Sequence, residues 1–169
     1  MKKVILLTFM LCTLLSADIS DKAIEAYNKG NFKSAISYFE EIANNDIMAQ
    51  YRLGVMYEKG QGTKINKKQS FYWHKKAAEN GHAISQYLLA EKYSDKNFTF
   101  YNSNIATHWY QKSAEQGYFL AQYKLGILYI KGSNVLRDYK KAKFWIHKSN
   151  DNGSYLARIA WKKYKLWEY

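Results

Sequence analysis

The feature that most constrains this chain is that it repeats itself every 36 residues. Trp73, Trp109 and Trp145 are 36 apart, and so are Leu53, Leu89 and Leu125. The leucines sit in Ala49-Gln-Tyr-Arg-Leu-Gly54, Ser85-Gln-Tyr-Leu-Leu-Ala90 and Ala121-Gln-Tyr-Lys-Leu-Gly126. The tryptophans open Trp73-His-Lys-Lys-Ala-Ala-Glu-Asn-Gly81, Trp109-Tyr-Gln-Lys-Ser-Ala-Glu-Gln-Gly117 and the looser Trp145-Ile-His-Lys-Ser-Asn-Asp-Asn-Gly153. Two motifs in phase at one period mark a repeat array. Each unit of such an array is too small to bury its own apolar face and stacks on its neighbours to do so.

Each period reads as two helices. In the first, Ala49, Leu53, Met56 and Tyr57 fall at helical spacing, as do Ala121, Leu125, Leu128 and Tyr129. Gly60 and Gly132 then supply a left-handed cap. The second helix starts at Asn66 or Asp138, both good N-caps, and ends at Gly81, Gly117 and Gly153. A glycine inside the first helix (Gly54, Gly126) costs about 1 kcal/mol against alanine. Its return as Ala90 and Ala160 argues for a close approach there, with the tryptophan helix as the candidate neighbour. The complete absence of proline among 169 residues agrees with uninterrupted helices.

The strings at 49–54, 57–62 and 73–81 resemble the Sel-1-like repeat, which is similar to the tetratricopeptide repeat with a longer loop in each hairpin. The resemblance is strongest over 49–82, good over 121–153, and diluted over 83–117, where the loop has lost its Gly-x-Gly. Residues 21–45, with Gly30 and Phe32, look more like a tetratricopeptide hairpin. The implied fold is all-α: an α-solenoid of stacked antiparallel hairpins near 21–45, 47–80, 83–116 and 119–150. A C-terminal capping helix follows at 154–167. There Leu156, Ile159, Ala160 and Tyr164 are expected to cover the last hairpin, while Arg158, Lys162, Lys163 and Lys165 face water. Phase also predicts that Trp109 is buried between hairpins.

Residues 1–17 read as an address. Lys2 and Lys3 precede an apolar run from Val4 to Leu15 that ends in Ser16-Ala17. That is the order of a cleaved secretory signal, and the run is short of the ~20 residues needed to span a bilayer. Cleavage would remove the chain's one cysteine, so no disulfide framework and no cysteine zinc site are expected. The expected location of residues 18–169 is periplasmic or secreted, in a bacterium.

Residues that could carry chemistry are scarce. His74, His82, His108 and His147 lie at no metal-ligand spacing and read as surface or partly packed histidines. No Gly-x-Ser-x-Gly and no Ser-x-x-Lys occurs. Gly60-Gln61-Gly62 follows a helix, whereas a phosphate cradle follows a strand. No catalytic residue, cofactor or metal is therefore expected. Some secreted, cysteine-rich relatives carry a β-lactamase label, so the resemblance also implies a β-lactamase-like or peptidoglycan-directed hydrolase as the alternative.

The function the resemblance implies is a scaffold, monomeric, holding a protein or peptide partner in the cell envelope. In tetratricopeptide-like stacking the first helices line the partner groove. Arg52, Lys124 and Arg158 are its expected contacts, a basic row suited to an acidic or carboxylate-ended peptide. Gln50, Gln86 and Gln122 read as framework. A formal charge of +12 leaves a second alternative, an electrostatic binder of anionic envelope polymers. An exported chain has little access to nucleic acid, which is not expected as a partner. Aromatics out of phase, Phe98, Phe100, Tyr101, Trp167 and Tyr169, read as surface residues. Asp95-Lys-Asn97-Phe-Thr99 matches a bacterial glycosylation sequon, with Asn97 as the acceptor.

Overall fold

The computed structural model describes residues 17–169. The leader read at 1–17 lies outside them except for Ala17. All regular structure among the described residues is helical. In order these are α1 (17–28), α2 (Phe32–Ile42), α3 (Ile47–Lys59), α4 (Lys67–Glu79), α5 (Ala83–Ser94), α6 (Ser103–Glu115), α7 (Phe119–Lys131), α8 (Tyr139–Asp151) and α9 (Tyr155–Lys163). A 3-10 turn at Leu166–Glu168 follows. The chain divides into two compact units that meet at Asn80 and Gly81.

The first unit holds α1 to α4. Asp46 opens α3 by accepting the Ala49 N–H at 2.9 Å, and Gly60 closes it at φ 69° with its N–H on the Met56 carbonyl. Asn66 opens α4 by accepting from Gln69 N–H at 3.1 Å. Ala23, Ala35, Phe39, Ala49, Leu53 and Met56 form the core, with Trp73 packed against it. The loop between α3 and α4 is tied to the preceding hairpin. Gly62 adopts φ 75°, and a Cβ there would stand 2.5 Å from the Phe32 carbonyl carbon, so only glycine fits.

The second unit holds the hairpins α5–α6 and α7–α8, and then α9. Asn102 caps α6 and Asp138 caps α8 through their side chains. Gly132 closes α7 at φ 66°. Ala121, Leu125 and Trp145 form one buried cluster, Ala90, Ala106 and Tyr110 a second, and Ile130, Ala142, Ile146, Ala157, Ala160 and Leu166 a third.

Two devices recur in both units. In the first, the second helix presses on the small residue of the first. A Cβ on Gly126 would fall 2.6 Å from Cγ1 of Ile146, and one on Gly54 would fall 2.7 Å from the His74 ring. Ala90 shares its cluster with Tyr110. The second device is a buried glutamine clamp. Gln50 donates to the Ala43 carbonyl at 2.6 Å and accepts from the Asn80 amide at 2.9 Å. Gln122 donates to the Ala114 carbonyl at 3.1 Å and accepts from Asn152 at 3.0 Å. Gln86 accepts from Gln116 at 2.7 Å. The glutamines are framework, Gln50 and Gln122 each satisfying two polar groups and Gln86 the Gln116 amide, which burial would otherwise leave unmet.

Three expectations are corrected. Trp109 is half-buried, as is Trp73, and the fully packed residue is the one after each tryptophan: His74, Tyr110 and Ile146. The indoles of Trp73 and Trp109 lie at the margin of the helix contact, Trp145 is buried with Ala121 and Leu125, and a lysine three residues on reaches over each ring. Lys76, Lys112 and Lys148 stand 5.3, 5.1 and 5.7 Å from the centroids of Trp73, Trp109 and Trp145. His74, expected near the surface, is buried against Gly54. On α9, Leu156 and Ile159 are each 45% exposed, while Ala157, Ala160 and the later Leu166 turn inward.

The α9 correction is one of register. The N-caps Asp46, His82, Tyr118 and Ser154 keep the 36-residue step through the last helix. The Ile159-Ala160 pair, two residues short of that step from Leu125-Gly126, is not the equivalent. Trp161 takes the leucine position, Lys162 the glycine position and Arg158 the clamp-glutamine position.

Candidate functional site

The three basic residues expected to form one row have different surroundings. Arg52, on α3, is half-buried, with its guanidinium 5.3 Å over the Tyr27 ring. It has no carboxylate partner among the described residues. Tyr27 is itself held by its hydroxyl donating to Gln61 Oε1 at 3.4 Å. The cation is thus positioned by an aromatic face and keeps its charge uncompensated.

Lys124, on α7, is committed elsewhere. Its ammonium lies 2.9 Å from Oε1 and 3.2 Å from Oε2 of Glu91 on α5. The same carboxylate accepts a short hydrogen bond from the Tyr110 hydroxyl, which also lies 3.2 Å from Ser94 Oγ. Burial, reinforced by Glu91, holds the Tyr110 phenol far above its usual range, and burial with the nearby Glu91 charge pushes Tyr87 up to about 12. Lys124 therefore neutralises Glu91 inside the second unit. The two residues stand 33 positions apart, and no local motif announces the pair.

Arg158 is exposed on α9 and lines a hollow of about 220 Å³ with His147, Asn150, Trp161 and Lys162. The His147 ring stands edge-on to Trp161, centroids 5.5 Å apart, and its Nδ1 is 2.7 Å from Asp151 Oδ2. Neither Arg158 nor Lys162 has a carboxylate partner among the described residues. The Leu-Gly signal that aligns the other copies falls two residues out of step in α9, which hides the hollow in the sequence. Gly117 to Gly153, and Ala121 to Ala157, already carry the 36-residue interval that finds it.

Asn97 lies in the exposed turn after α5, where its N–H is held by Asp95 Oδ1 at 2.9 Å. Phe100, Tyr101, Trp167 and Tyr169 are exposed, although Tyr169 stacks on Tyr139 with centroids 4.4 Å apart. Among the described residues no group of three or more His, Cys, Asp or Glu is placed to hold a metal ion. No helix among them is long and apolar enough to cross a membrane.

A family model for the Sel1 repeat matches residues 47–82, 83–118 and 120–154. Among solved structures, a Sel1 repeat protein from Oxalobacter formigenes is 30% identical with a TM-score of 0.72, the match covering 80% of this chain and 56% of that one. A protective antigen present in uropathogenic Escherichia coli strains, described as displaying an SLR fold, is 27% identical with a TM-score of 0.76 over 86% of this chain and 32% of that one. The chain thus spans 56% of the length of the first and 32% of the second. Cysteine rich protein B of Helicobacter pylori, 22% identical with a TM-score of 0.60 over 77% of this chain and 94% of that one, agrees in fold. The fold is the all-α helical-repeat solenoid.

Proposed function

Since the chain belongs to the Sel1 repeat family, whose members are helical-repeat scaffolds for protein–protein interaction, we propose that it is an exported scaffold holding a protein partner in the bacterial envelope, with no catalysis of its own. The observation that carries this reading is Arg52. The residues around it on α3, Gln50, Leu53 and Gly54, are buried in framework contacts. Arg52 alone among the three expected groove cations is held in place without a neutralising carboxylate, over Tyr27. A fixed, uncompensated guanidinium suits an acidic side chain or a terminal carboxylate on the partner.

The test is crosslinked capture from the native envelope with residues 18–169 as bait. Arg52→Glu is expected to lose the captured protein while helix content and thermal midpoint stay unchanged. Lys124→Glu is not an equivalent test, because it sets a second carboxylate beside Glu91. Retention of the same protein by Arg52→Glu overturns the reading. Export rests on the charged, apolar and small-residue order of 1–17. N-terminal sequencing of the exported protein is expected to start near Asp18, and an intact Met1 on membrane-held protein would refute it.

A further inference from the structure

The hollow between α8 and α9 is lined on α9 by three positions whose equivalents in the other copies are buried framework. On the first helices the positions in question are Gln50, Leu53 and Gly54, then Gln86, Leu89 and Ala90, then Gln122, Leu125 and Gly126, all buried. In the same register α9 carries Arg158, Trp161 and Lys162. Among the described residues a 3-10 turn at Leu166–Glu168 follows it. An amide, an alkyl chain and a hydrogen become a fork-shaped cation, an indole and an ammonium, all lining one hollow.

We propose that this hollow binds an acidic sugar residue, a pyranose ring bearing a carboxylate, independently of the protein partner inferred from Arg52. Arg158 offers the planar fork that matches a carboxylate, and Lys162 adds a second positive charge. Trp161 offers an apolar face for the C–H face of a sugar ring. His147 and Asn150 supply what hydroxyls need, groups that both donate and accept. With its Nδ1 engaged by Asp151, His147 keeps Nε2 for this purpose, and the Asn150 amide carries both functions.

Other anions use the lining less fully. A peptide carboxylate would engage Arg158 and Lys162 but brings no row of hydroxyls for His147 and Asn150. Inorganic phosphate has no use for the indole. At about 220 Å³ the hollow falls below the ~300–1,000 Å³ of drug-sized pockets and suits a single ring. Arg158, Lys162 and His147 are exposed, so a saccharide chain can continue outward from that ring.

The test is calorimetric titration of the chain with a trimer of galacturonic acid. The comparison ligands are the neutral galactose trimer, inorganic phosphate and a short peptide ending in phenylalanine. The acidic trimer is expected to bind at least about tenfold tighter than each of the others. Arg158→Gln and Trp161→Leu restore the residues that the other copies carry; the first is expected to fold with an unchanged midpoint and the second, which gives up packing against the core cluster, with a lower one, and each to lose at least about tenfold in affinity. Lys162→Gln, on an exposed side chain, is expected to weaken binding and lower its salt dependence, and Arg137→Gln, also exposed, is expected to leave it unchanged. The proposal is overturned if the neutral sugar, phosphate or the peptide binds as tightly as the acidic trimer. Unchanged affinity in Lys162→Gln, or in folded Arg158→Gln or Trp161→Leu, overturns it equally.

Discussion

His74 occupies the space that a side chain at position 54 would need: a Cβ on Gly54 falls 2.7 Å from both Cε1 and Nδ1 of the imidazole. Two helices of one hairpin approach each other at this point, and the ring is too buried to swing aside.

Gly54→Ala is therefore expected to destabilise the protein, although alanine is the better helix former. The propensity gain is about 1 kcal/mol, while overpacking a closed contact costs about 1–3 kcal/mol. Urea denaturation should show a lower midpoint. In Gly54→Ala/His74→Ala the two effects should not add, because removing the imidazole relieves the clash that the alanine meets and the alanine fills part of the space the ring leaves.

The glutamine clamp gives a second expectation. Gln122→Leu removes the donor to the Ala114 carbonyl and the acceptor of the Asn152 amide. Loss of about 1–3 kcal/mol follows from stranding buried polar groups. The half-buried Gln111, which reaches only Glu115 on its own helix, should tolerate leucine within about 0.5 kcal/mol. Equal midpoints for the two variants would show that the clamp contributes nothing.

Much of the fold was legible because its signals are local. Asn66 and Asp138 cap helices through their own neighbours, and Gly60 and Gly132 need only a left-handed φ. The face of the tryptophan helix that enters the core was not, because two flanking helices set it. The identical phase of Trp73, Trp109 and Trp145 conceals that Trp145 is buried whereas at Trp73 and Trp109 the next residue takes the buried place. Lys124 and Glu91 meet across two hairpins, beyond any motif. The register of Arg158 is hidden too, since α9 has lost the Leu-Gly pair by which the other copies are aligned.

That shift in the core leads to a direct comparison. Tyr110→Ala should cost about 3–5 kcal/mol, the loss of a large buried ring. Trp109→Ala, at the margin, should cost about 1–2 kcal/mol for the apolar area it still covers. Thermal or chemical denaturation in the reverse order would restore the tryptophan to the core.

Alkaline pH supplies a fourth expectation. Burial, with the Glu40 hydrogen bond, pushes Tyr57 up to about 12, and burial with the Glu91 charge does the same to Tyr87. Tyr110 is displaced in the same direction by burial first and by Glu91 second. A raised folded-state value favours the neutral phenol, so the stabilisation is fully present below the unfolded tyrosine pKa near 10 and is lost as pH climbs toward 12. Phenolate absorbance should lag behind that of free tyrosine, and unfolding should become easier across pH 10–12. A phenolate titration in which all tyrosines follow the free amino acid would contradict this environment.

The clamps at Gln50, Gln86 and Gln122 each find a side-chain partner 30 residues onward. Heredity can therefore handle this protein in whole turns. A recombination event that adds or removes one 36-residue cassette between equivalent glutamines leaves every clamp with its partner 30 residues onward. An event of any other length orphans one. Gene length in such a lineage should change in steps of 108 base pairs, about the coding size of one period, and the point of exchange is free to fall anywhere in the cassette. In α9 the register persists with different residues in it, so a turn built to receive a neighbour can be re-employed by three substitutions, with no new backbone required.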